Sequence, residues 1–361
     1  MKAMNPMKLF GSVRPATKNK TITYLMVLIF FGIAGILVQT GSVGSLFTGL
    51  LVPMCYYIIM AVSLNLTVGI LGELSLGHAG FMCVGAYVGG IFSLLTKDAI
   101  SQVWIRFPLA MLIGGLCAAL MGILIGVPIL RLRGDYLAIV TLAFGEIIRK
   151  VVQNIYIVSD KNGLHFSFVN TVNPASIDLA TKEEILNGPM AVSGIPKDTT
   201  LWIAVLMVMI TLFVIMNLVD SRSGRAIMAI RDNRIAAEAT GISITRHKLI
   251  VFVTSSFFAG LAGVLYAHFS TITPVKFDYN MSILILVFVV LGGIGNIRGS
   301  VIAAVILYAL PELLRGFQNY RMLIYAIVLI VMMLLNNNAK FIQFKAGLGR
   351  KLFHRKAKEA A

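Results

Sequence analysis

Three titratable side chains stand inside or beside long apolar runs of this sequence: Glu73, His78 and Glu146. A charged or polar group among apolar residues is costly unless it faces protein or water. Glu73 and His78 can therefore line a polar path. Alternatively, Glu73 lies in a turn and His78 is a hydrogen-bonded core histidine. Glu146 precedes Arg149 and Lys150 by three and four residues, so an ion pair on one helical face is the alternative to direct ligand contact.

No motif for nucleotide hydrolysis or hydrolytic catalysis accompanies these residues. The sequence contains no Gly-x-x-x-x-Gly-Lys-Ser/Thr, no His-Glu-x-x-His and no Gly-x-Ser-x-Gly. The glycine-rich stretch 292–299 lacks the Gly-Lys-Ser/Thr end of a phosphate-binding loop, so we interpret it as a tight re-entry turn between two helices. We expect no catalytic residue, no metal site and no cofactor in this chain.

The composition indicates a polytopic membrane protein. Hydrophobic residues make up 58% of the 361 residues and charged residues 13%, against about 25% charged in ordinary soluble domains. Mean hydropathy is +0.88. We predict an all-α fold with about ten membrane-spanning helices, within a range of eight to ten. The predicted spans are 22–40, 46–68, 74–95, 107–130, 136–158, 200–219, 249–268, 279–295, 300–315 and 321–336.

The basic residues indicate how these spans are oriented. The formal net charge is +16, and 21 of the 31 Lys and Arg residues fall on the side that would hold both termini. By the positive-inside rule that side is the cytoplasm. We therefore predict that both termini are cytoplasmic. Because no aromatic-basic recognition module accompanies the charge, we expect no nucleic acid among the partners.

The predicted spans and their orientation divide the chain into regions. Residues 1–21 form a basic cytoplasmic arm, 22–336 a single transmembrane domain, and 337–361 a basic cytoplasmic tail suited to anionic lipid. Residues 159–199 are polar and rich in turn-forming pairs, so they are predicted to be a loop or small capping structure outside the membrane.

One polar interruption, residues 220–248, separates two apolar runs in the second half. Its isoleucines at 227, 230 and 235 recur at roughly helical spacing, and Arg231 and Arg234 would share a face. Asp232 or Asn233 can cap a short second helix that ends before a glycine at 241. We predict two brief helices joined by a turn, a surface on which another protein docks. The plainer alternative is a basic loop that only anchors topology.

Several stretches resemble the permease subunits of ABC importers, most closely the LivM type of branched-chain amino acid importers. The segment Ala236-Ala237-Glu238-Ala239-Thr240-Gly241 resembles the loop of that family that inserts into an ATPase groove, with the glutamate displaced from its usual order. The stretch Leu74-Ser75-Leu76-Gly77-His78-Ala79-Gly80-Phe81 is similar to a family signature. So are residues 134–146 and the glycine-rich turn 292–299.

This resemblance, from about residue 50 to 310, implies a function and partners. It implies a multi-pass permease of the bacterial inner membrane that imports leucine, isoleucine and valine, with ATP bound only by partner subunits. The implied partners are a second permease of LivH type, two ATPase subunits and a periplasmic binding protein that docks near 159–199. The implied coupling residues are Arg225, Arg231, Arg234, Ala237, Glu238 and Gly241. The candidate translocation-path residues are Asn65, Ser75, His78, Thr141 and Glu146.

Two other functions remain open from the sequence. Permeases of the same family that carry urea or short amides have similar motifs. A secondary transporter driven by an ion gradient would instead need a buried coupling carboxylate, and Glu73 and Glu146 are the candidates for it. The absence of a nucleotide site favours energy supplied by another subunit, so we expect a transporter subunit and not an enzyme.

Overall fold

The structure is a computed structural model that describes residues 15–41, 44–97, 99–129, 132, 134–160, 163–168, 183–192, 194–314 and 320–337. It comprises two compact units, Met1–Ala304 and Val305–Ala361. The described residues of the second unit are the end of one helix and a further helix. Most of the predicted arm (1–21) and nearly all of the predicted basic tail (337–361) lie outside the described residues, so both stay predictions.

The fold is mostly helical, because apolar chain in a membrane can satisfy its backbone hydrogen bonds only within helices or closed sheets. The helices are α1 Pro15–Gln39, α2 Ser45–Asn65, α3 His78–Leu95, α4 Val103–Ile129, α5 Asp135–Gln153, α6 Leu201–Asp220, α7 Arg222–Asp232, α8 Arg234–Ala239, α9 Ile244–Ala267, α10 Tyr279–Gly292, α11 Ile297–Leu313 and α12 Arg321–Asn337. A 3₁₀ turn, Pro274–Phe277, precedes α10.

Each of the ten predicted spans coincides with one of these helices, with shifted ends. Within the described residues, six helices are long and apolar enough to cross a membrane: Lys20–Gln39, Phe47–Leu71, His78–Leu95, Val103–Pro128, Leu201–Asp220 and Ile244–Ala267. The shorter helix Tyr279–Gly292 is also apolar. The predicted span 136–158 is a helix only to Gln153, since a strand begins at Tyr156.

A small sheet corrects the all-α prediction. Strands β1 (Tyr156–Asp160), β2 (Gly163–Ser167) and β3 (Glu183–Asn187) pair antiparallel in the order β2-β1-β3. The sheet occupies part of 159–199, the region predicted to be a loop or small capping structure. After it, Val192 donates a backbone hydrogen bond to Ile272 beyond the end of α9. The sheet region is thus joined to the end of α9 that is remote from residues 220–248.

The core is a tight three-helix packing of α3, α4 and α9. A Cβ atom added at Gly263 would lie 2.1 Å from the Met82 carbonyl oxygen, and one at Gly85 would lie 2.2 Å from that of Gly260. These approaches leave no room for side chains, so the backbones are in direct contact. Such contacts between small residues drive helix association in membranes. This packing fixes the position of α9, which begins within residues 220–248 and ends at Ala267.

Candidate functional site: a basic loop joined to a broken helix

The first part of the site is a helix break, residues 66–77, between α2 and α3. The α2 helix continues as a π-helical turn over Leu66–Leu71 and stops at Gly72, whose φ is +80°. Residues 73–77 are not helical. A Cβ at Gly72 would lie 2.6 Å from Cγ of Arg231. Glycine is therefore required there by backbone conformation and by the contact with Arg231.

Asn65 fixes the start of the helix break. Its side chain is fully buried, its Oδ1 accepts from the Gly295 backbone N–H at 2.9 Å, and its Nδ2 donates to Ser300 Oγ at 2.9 Å. The turn that it contacts is the predicted tight re-entry between α10 and α11, where Gly293 and Gly295 have positive φ. Asn65 therefore joins α2 to this glycine-rich turn.

His78 is a hydrogen-bonded core histidine, the second of the two alternatives considered above. It is 2% exposed, and its Nε2 lies 2.8 Å from Ser63 Oγ. Ser63 Oγ also lies 3.0 Å from the Met60 carbonyl oxygen, to which it can donate its single hydrogen. Nε2 of His78 then acts as the donor to Ser63. This contact joins the first residue of α3 to α2 across the helix break.

Ser75 and Thr141 lie on the other side of the break. Thr141 Oγ1 accepts from the Leu76 backbone N–H at 3.0 Å and donates to the Ala138 carbonyl oxygen at 2.9 Å. Ser75 is also buried, and its hydroxyl has no hydrogen-bond partner among the described residues. Asn65, His78, Ser75 and Thr141 thus lie inside this chain, around the break.

Glu146 forms the predicted ion pair on α5. Its Oε2 accepts from Nε of Arg149 at 2.8 Å and from Nη2 at 2.5 Å, and its Oε1 accepts from the backbone N–H of Tyr279 at 3.0 Å. Of the two predicted partners, Arg149 is the one that it binds. Glu146 also borders a shallow cavity of about 440 Å³ together with Lys150 and Phe168. The carboxylate is therefore already occupied by donors of its own chain.

The second part of the site is the basic loop, residues 220–248, which forms two brief helices as predicted. Ser221 Oγ caps α7 by accepting from Gly224 N–H at 3.1 Å, and Asn233 Oδ1 caps α8 by accepting from Ala236 N–H at 3.0 Å. Asn233, and not Asp232, is thus the cap. The predicted glycine follows α8: Gly241 has a φ of +82° and donates its N–H to Glu238 at 3.0 Å.

The isoleucine pattern in the loop was partly misinterpreted. Ile227 and Ile230 are buried, but Ile235 is 82% exposed. The reason is that α7 ends before Asn233 and α8 begins a new direction, so one helical period does not extend across the turn. Arg231 and Arg234 therefore belong to different helices and do not share a helical face.

The predicted coupling residues divide by exposure. Ala237 is 4% exposed because it packs in a small apolar cluster with Ile230 and Ile244, which holds α8 against the start of α9. Arg234 is half-buried. The outward surface of the loop is formed by Arg225, Arg231, Glu238 and Gly241.

Two contacts join the basic loop to the helix break. Arg231 Nη1 donates to the Gly69 carbonyl oxygen at 3.0 Å, and Lys248 Nζ forms an ion pair with Glu73 Oε1. The Lys248 side chain is 3% exposed and that of Glu73 17%. Glu73 thus lies in a non-helical turn, as one of the two sequence alternatives predicted. The loop is therefore in direct contact with residues 69 and 73 of the break.

The sequence analysis did not find these two contacts. The sequence did contain a signal for the ion pair. Lys248 is the last residue of the basic loop and is followed by an apolar run, and a lysine buried there needs a carboxylate partner. Glu73 was an available partner on the same predicted side. The contact from Arg231 has no such signal in the sequence. Its acceptor is the backbone carbonyl of Gly69 in the π-helical turn, and every residue type has a backbone carbonyl.

Comparison with known proteins places the chain in a family. Residues 45–335 match the family model described as the permease component of branched-chain amino acid transport systems. The chain belongs to this family. It is therefore similar over most of its length to multi-pass transport proteins, which agrees with its apolar helices.

Individual permease proteins are also similar to this chain. The chain is 37% identical over 334 residues to the high-affinity branched-chain amino acid transport system permease protein LivM of Salmonella typhimurium, covering 89% of this chain and 76% of the relative. It is 37% identical over 286 residues to LivM of Escherichia coli, covering 77% and 66%. The ribose import permease RbsC of Haemophilus influenzae is 27% identical over 267 residues, covering 69% and 75%. No solved structure matches the chain significantly.

Proposed function

We propose that this chain is the transmembrane permease subunit of an ATP-driven importer of leucine, isoleucine and valine in the bacterial inner membrane. The observation that carries the proposal is the basic loop: its two capped helices present Arg225 and Glu238 to solvent, and Arg231 and Lys248 bond the loop to the helix break. The family and its two LivM relatives at 37% identity support the substrate.

The energy for transport comes from partner subunits. The chain has no nucleotide-binding motif, so two ATPase subunits bind ATP, and one of them receives the basic loop in a groove. A second, related permease of LivH type completes the membrane part. A periplasmic binding protein delivers the substrate. The chain itself carries out no covalent chemistry.

The coupling mechanism follows from the two contacts between the loop and the break. Closure of the ATPase dimer displaces the basic loop, and Arg231 and Lys248 transmit this displacement to Gly69 and Glu73. Since residues 73–77 of the break are not helical, the break can change its angle at a lower cost than an intact helix. The resulting tilt of α2 and α3 opens the substrate path to one side of the membrane at a time.

The orientation of the chain is part of this proposal. Ten crossings place both termini and the basic loop in the cytoplasm by the positive-inside rule. The α9 helix has 24 residues and is thus about 36 Å long, enough to cross a bilayer core of about 30 Å. The small sheet, joined to the far end of α9, then faces the periplasm and offers a docking surface to the binding protein.

Transport driven by an ion gradient is disfavoured by the state of the two candidate carboxylates. Glu73 is paired with Lys248 and Glu146 with Arg149. A coupling carboxylate must bind and release its ion during each cycle, and a resident cation competes with that ion. Neither glutamate therefore suits that role.

The proposal is tested by transport assays on the assembled importer. Radiolabelled leucine uptake is measured in vesicles, with unlabelled isoleucine, valine, urea and acetamide as competitors. We expect isoleucine and valine to compete and urea and acetamide to have no effect. Competition by urea or acetamide alone would replace the proposed substrate by that of the related amide and urea permeases. Cross-linking from a cysteine at Glu238 to an ATPase subunit tests the docking surface in the same preparation.

A further inference from the structure

A cavity of about 380 Å³ opens beside the end of α9 that is remote from the basic loop. It lies between α2, the end of α9, the 3₁₀ turn and α10. Its lining residues are Tyr57, Tyr266, Lys276, Phe277, Asn280, Met281 and Leu284. This outer pocket includes none of the five path residues predicted from the sequence. Its size is at the lower end of the range for small-molecule sites.

The aromatic wall of the outer pocket is held in place by further rings. Tyr266 packs edge-on against Phe277 with ring centroids 5.5 Å apart, and Tyr57 packs edge-on against Phe288 at 5.8 Å. Tyr266 also contacts the ring of Tyr56 at 5.6 Å. Packed rings of this kind keep the wall in place before a ligand arrives, which lowers the ordering cost of binding.

One end of the outer pocket carries a positive charge. Lys276 Nζ lies 5.8 Å from the centroid of the Tyr266 ring, and within the part of the chain that the structure describes it has no carboxylate partner. Asn280, a second polar lining residue, donates one amide hydrogen to Oδ2 of Asp278 at 2.6 Å and has a second amide hydrogen. A charged amine and an amide together can bind a carboxylate.

The other end of the outer pocket is apolar. Met281 and Leu284 come from successive turns of α10 and lie on the same side of it as Asn280. The methionine side chain adapts its shape to different branched groups. The pocket thus combines one cation, aromatic faces and an adaptable apolar floor within a volume suited to a single small molecule.

We propose that the outer pocket binds the transported amino acid on the outward side of the importer, which deepens the function proposed above and rests on it. Lys276 and Asn280 bind the α-carboxylate, and the ring of Tyr57 faces the α-ammonium group through a cation–π contact. The branched side chain of the substrate lies against Phe277, Met281 and Leu284. This assignment predicts a carboxylate-bearing substrate, since urea and neutral amides gain nothing from the Lys276 charge.

The test is protection of a thiol placed in the outer pocket. Leu284→Cys is introduced into the assembled importer, and maleimide labelling at that position is followed without and with leucine. We expect labelling to slow about tenfold when leucine is present at roughly ten times its dissociation constant. Leucinol, which lacks the carboxylate, should not protect. Ile283→Cys, on the neighbouring residue outside the lining, is the matched control and should label at the same rate in both conditions.

Variants of Lys276 separate carboxylate binding from packing. In the Leu284→Cys background, Lys276→Gln should abolish protection by leucine, and Lys276→Arg should retain it. If Leu284→Cys prevents assembly, Met281→Cys on the same apolar floor is labelled instead, with protection by leucine again the expected result. Unchanged labelling in an importer that takes up leucine with ATP would overturn the pocket alone. An importer that takes up no leucine would overturn the proposed function and this assignment with it.

Discussion

Lys248 and Glu73 are 175 residues apart in the sequence and form an ion pair that is largely shielded from solvent. Lys248 lies in the second turn of α9, directly after the α7–α8 pair of the basic loop, and Glu73 lies in the helix break. The hydrogen bond from Arg231 to the Gly69 carbonyl oxygen is a second contact between the loop and the break. The two contacts join the basic loop directly to the break.

The ion pair should contribute strongly to stability. Lys248→Met leaves the Glu73 carboxylate without its partner, and removing one member of a largely buried pair costs about 3–5 kcal/mol. The unfolding free energy in detergent measures this loss. The control is Lys20→Met, which breaks the ion pair with Asp220 whose carboxylate is 47% exposed and should cost less than about 1 kcal/mol. Equal losses in both variants would contradict the structural role assigned to Lys248.

Arg231 should be needed to transmit motion and not to bind the ATPase. Arg231→Ala removes a charged hydrogen bond to Gly69, a contact of about 1.5–3 kcal/mol, so ATP-driven leucine uptake should fall about tenfold or more. ATP hydrolysis by the assembled importer should continue. The control is Arg246→Ala, at another exposed arginine of the basic loop, which should leave uptake unchanged. A parallel loss of hydrolysis and ATPase association in Arg231→Ala would assign Arg231 to docking instead.

The docking surface should be sensitive to charge reversal. Arg225→Glu places an acid on the outward surface of the loop, where we expect an acidic groove of the ATPase to meet a base, and like charges across an interface cost several kcal/mol. Co-purification of the ATPase subunits should therefore be lost. Lys197→Glu makes the corresponding change at an exposed residue two positions before Thr199, which bonds His268 just beyond the end of α9 remote from the loop, and should retain the ATPase. Normal co-purification of the Arg225→Glu variant would disprove the docking assignment.

The three-helix core should reject the smallest added side chain. Gly263→Ala puts a Cβ within 2.1 Å of the Met82 carbonyl oxygen, and overpacking of this kind costs about 1–3 kcal/mol or more. The thermal midpoint in detergent should fall accordingly. Gly32→Ala is the control, because no atom lies within 4 Å of the added Cβ. It should leave the midpoint unchanged or raise it, since alanine is the better helix former.

His268 should make stability depend on pH. It lies just beyond α9, is fully buried, and packs edge-on against Phe107 near Arg106 and Asp198. Burial lowers the pKa of His268 below its ordinary value of 6.5, so the folded state favours the neutral ring. Below that value the unfolded state binds more protons, and stability falls as the pH falls.

The check is the thermal midpoint of wild type and His268→Gln between pH 7.5 and 5. We expect the wild type to lose stability toward the acid end and the variant to lose less of it. His247→Gln, at a half-buried histidine of α9, should follow the wild type. An identical pH profile for His268→Gln and wild type would remove His268 as a cause.

The helices could be predicted from the sequence because the membrane leaves an apolar run few alternatives to a helix. The two-helix form of the basic loop was also predictable, since Asn233 and Gly241 are local signals that act within a few residues. The burial of the path candidates inside this chain could not be predicted, because it depends on hydrogen bonds between residues that are far apart in the sequence. Asn65 binds the turn at Gly295, and Thr141 binds Leu76.

The helix break shows most clearly where local patterns are insufficient. Glycines at 69, 72 and 77 permit a broken helix, but the third span was predicted to begin at residue 74, whereas α3 begins at His78. The non-helical residues 73–77 are held by Thr141 and Lys248, and the π-helical turn before them by Arg231, all distant in sequence. The outer pocket was missed for the same reason, since its residues come from four separate segments.

The central claim is that this chain moves its substrate with energy supplied by a separate ATPase acting through the basic loop. The direct measurement is leucine uptake into vesicles that carry the assembled importer, with ATP supplied at the face of the ATPase subunits, compared with vesicles given only a proton or sodium gradient. We predict uptake with ATP alone, none with either gradient, and none from vesicles that contain this chain without its partners. Uptake driven by a gradient, or by this chain unaided, would contradict the account.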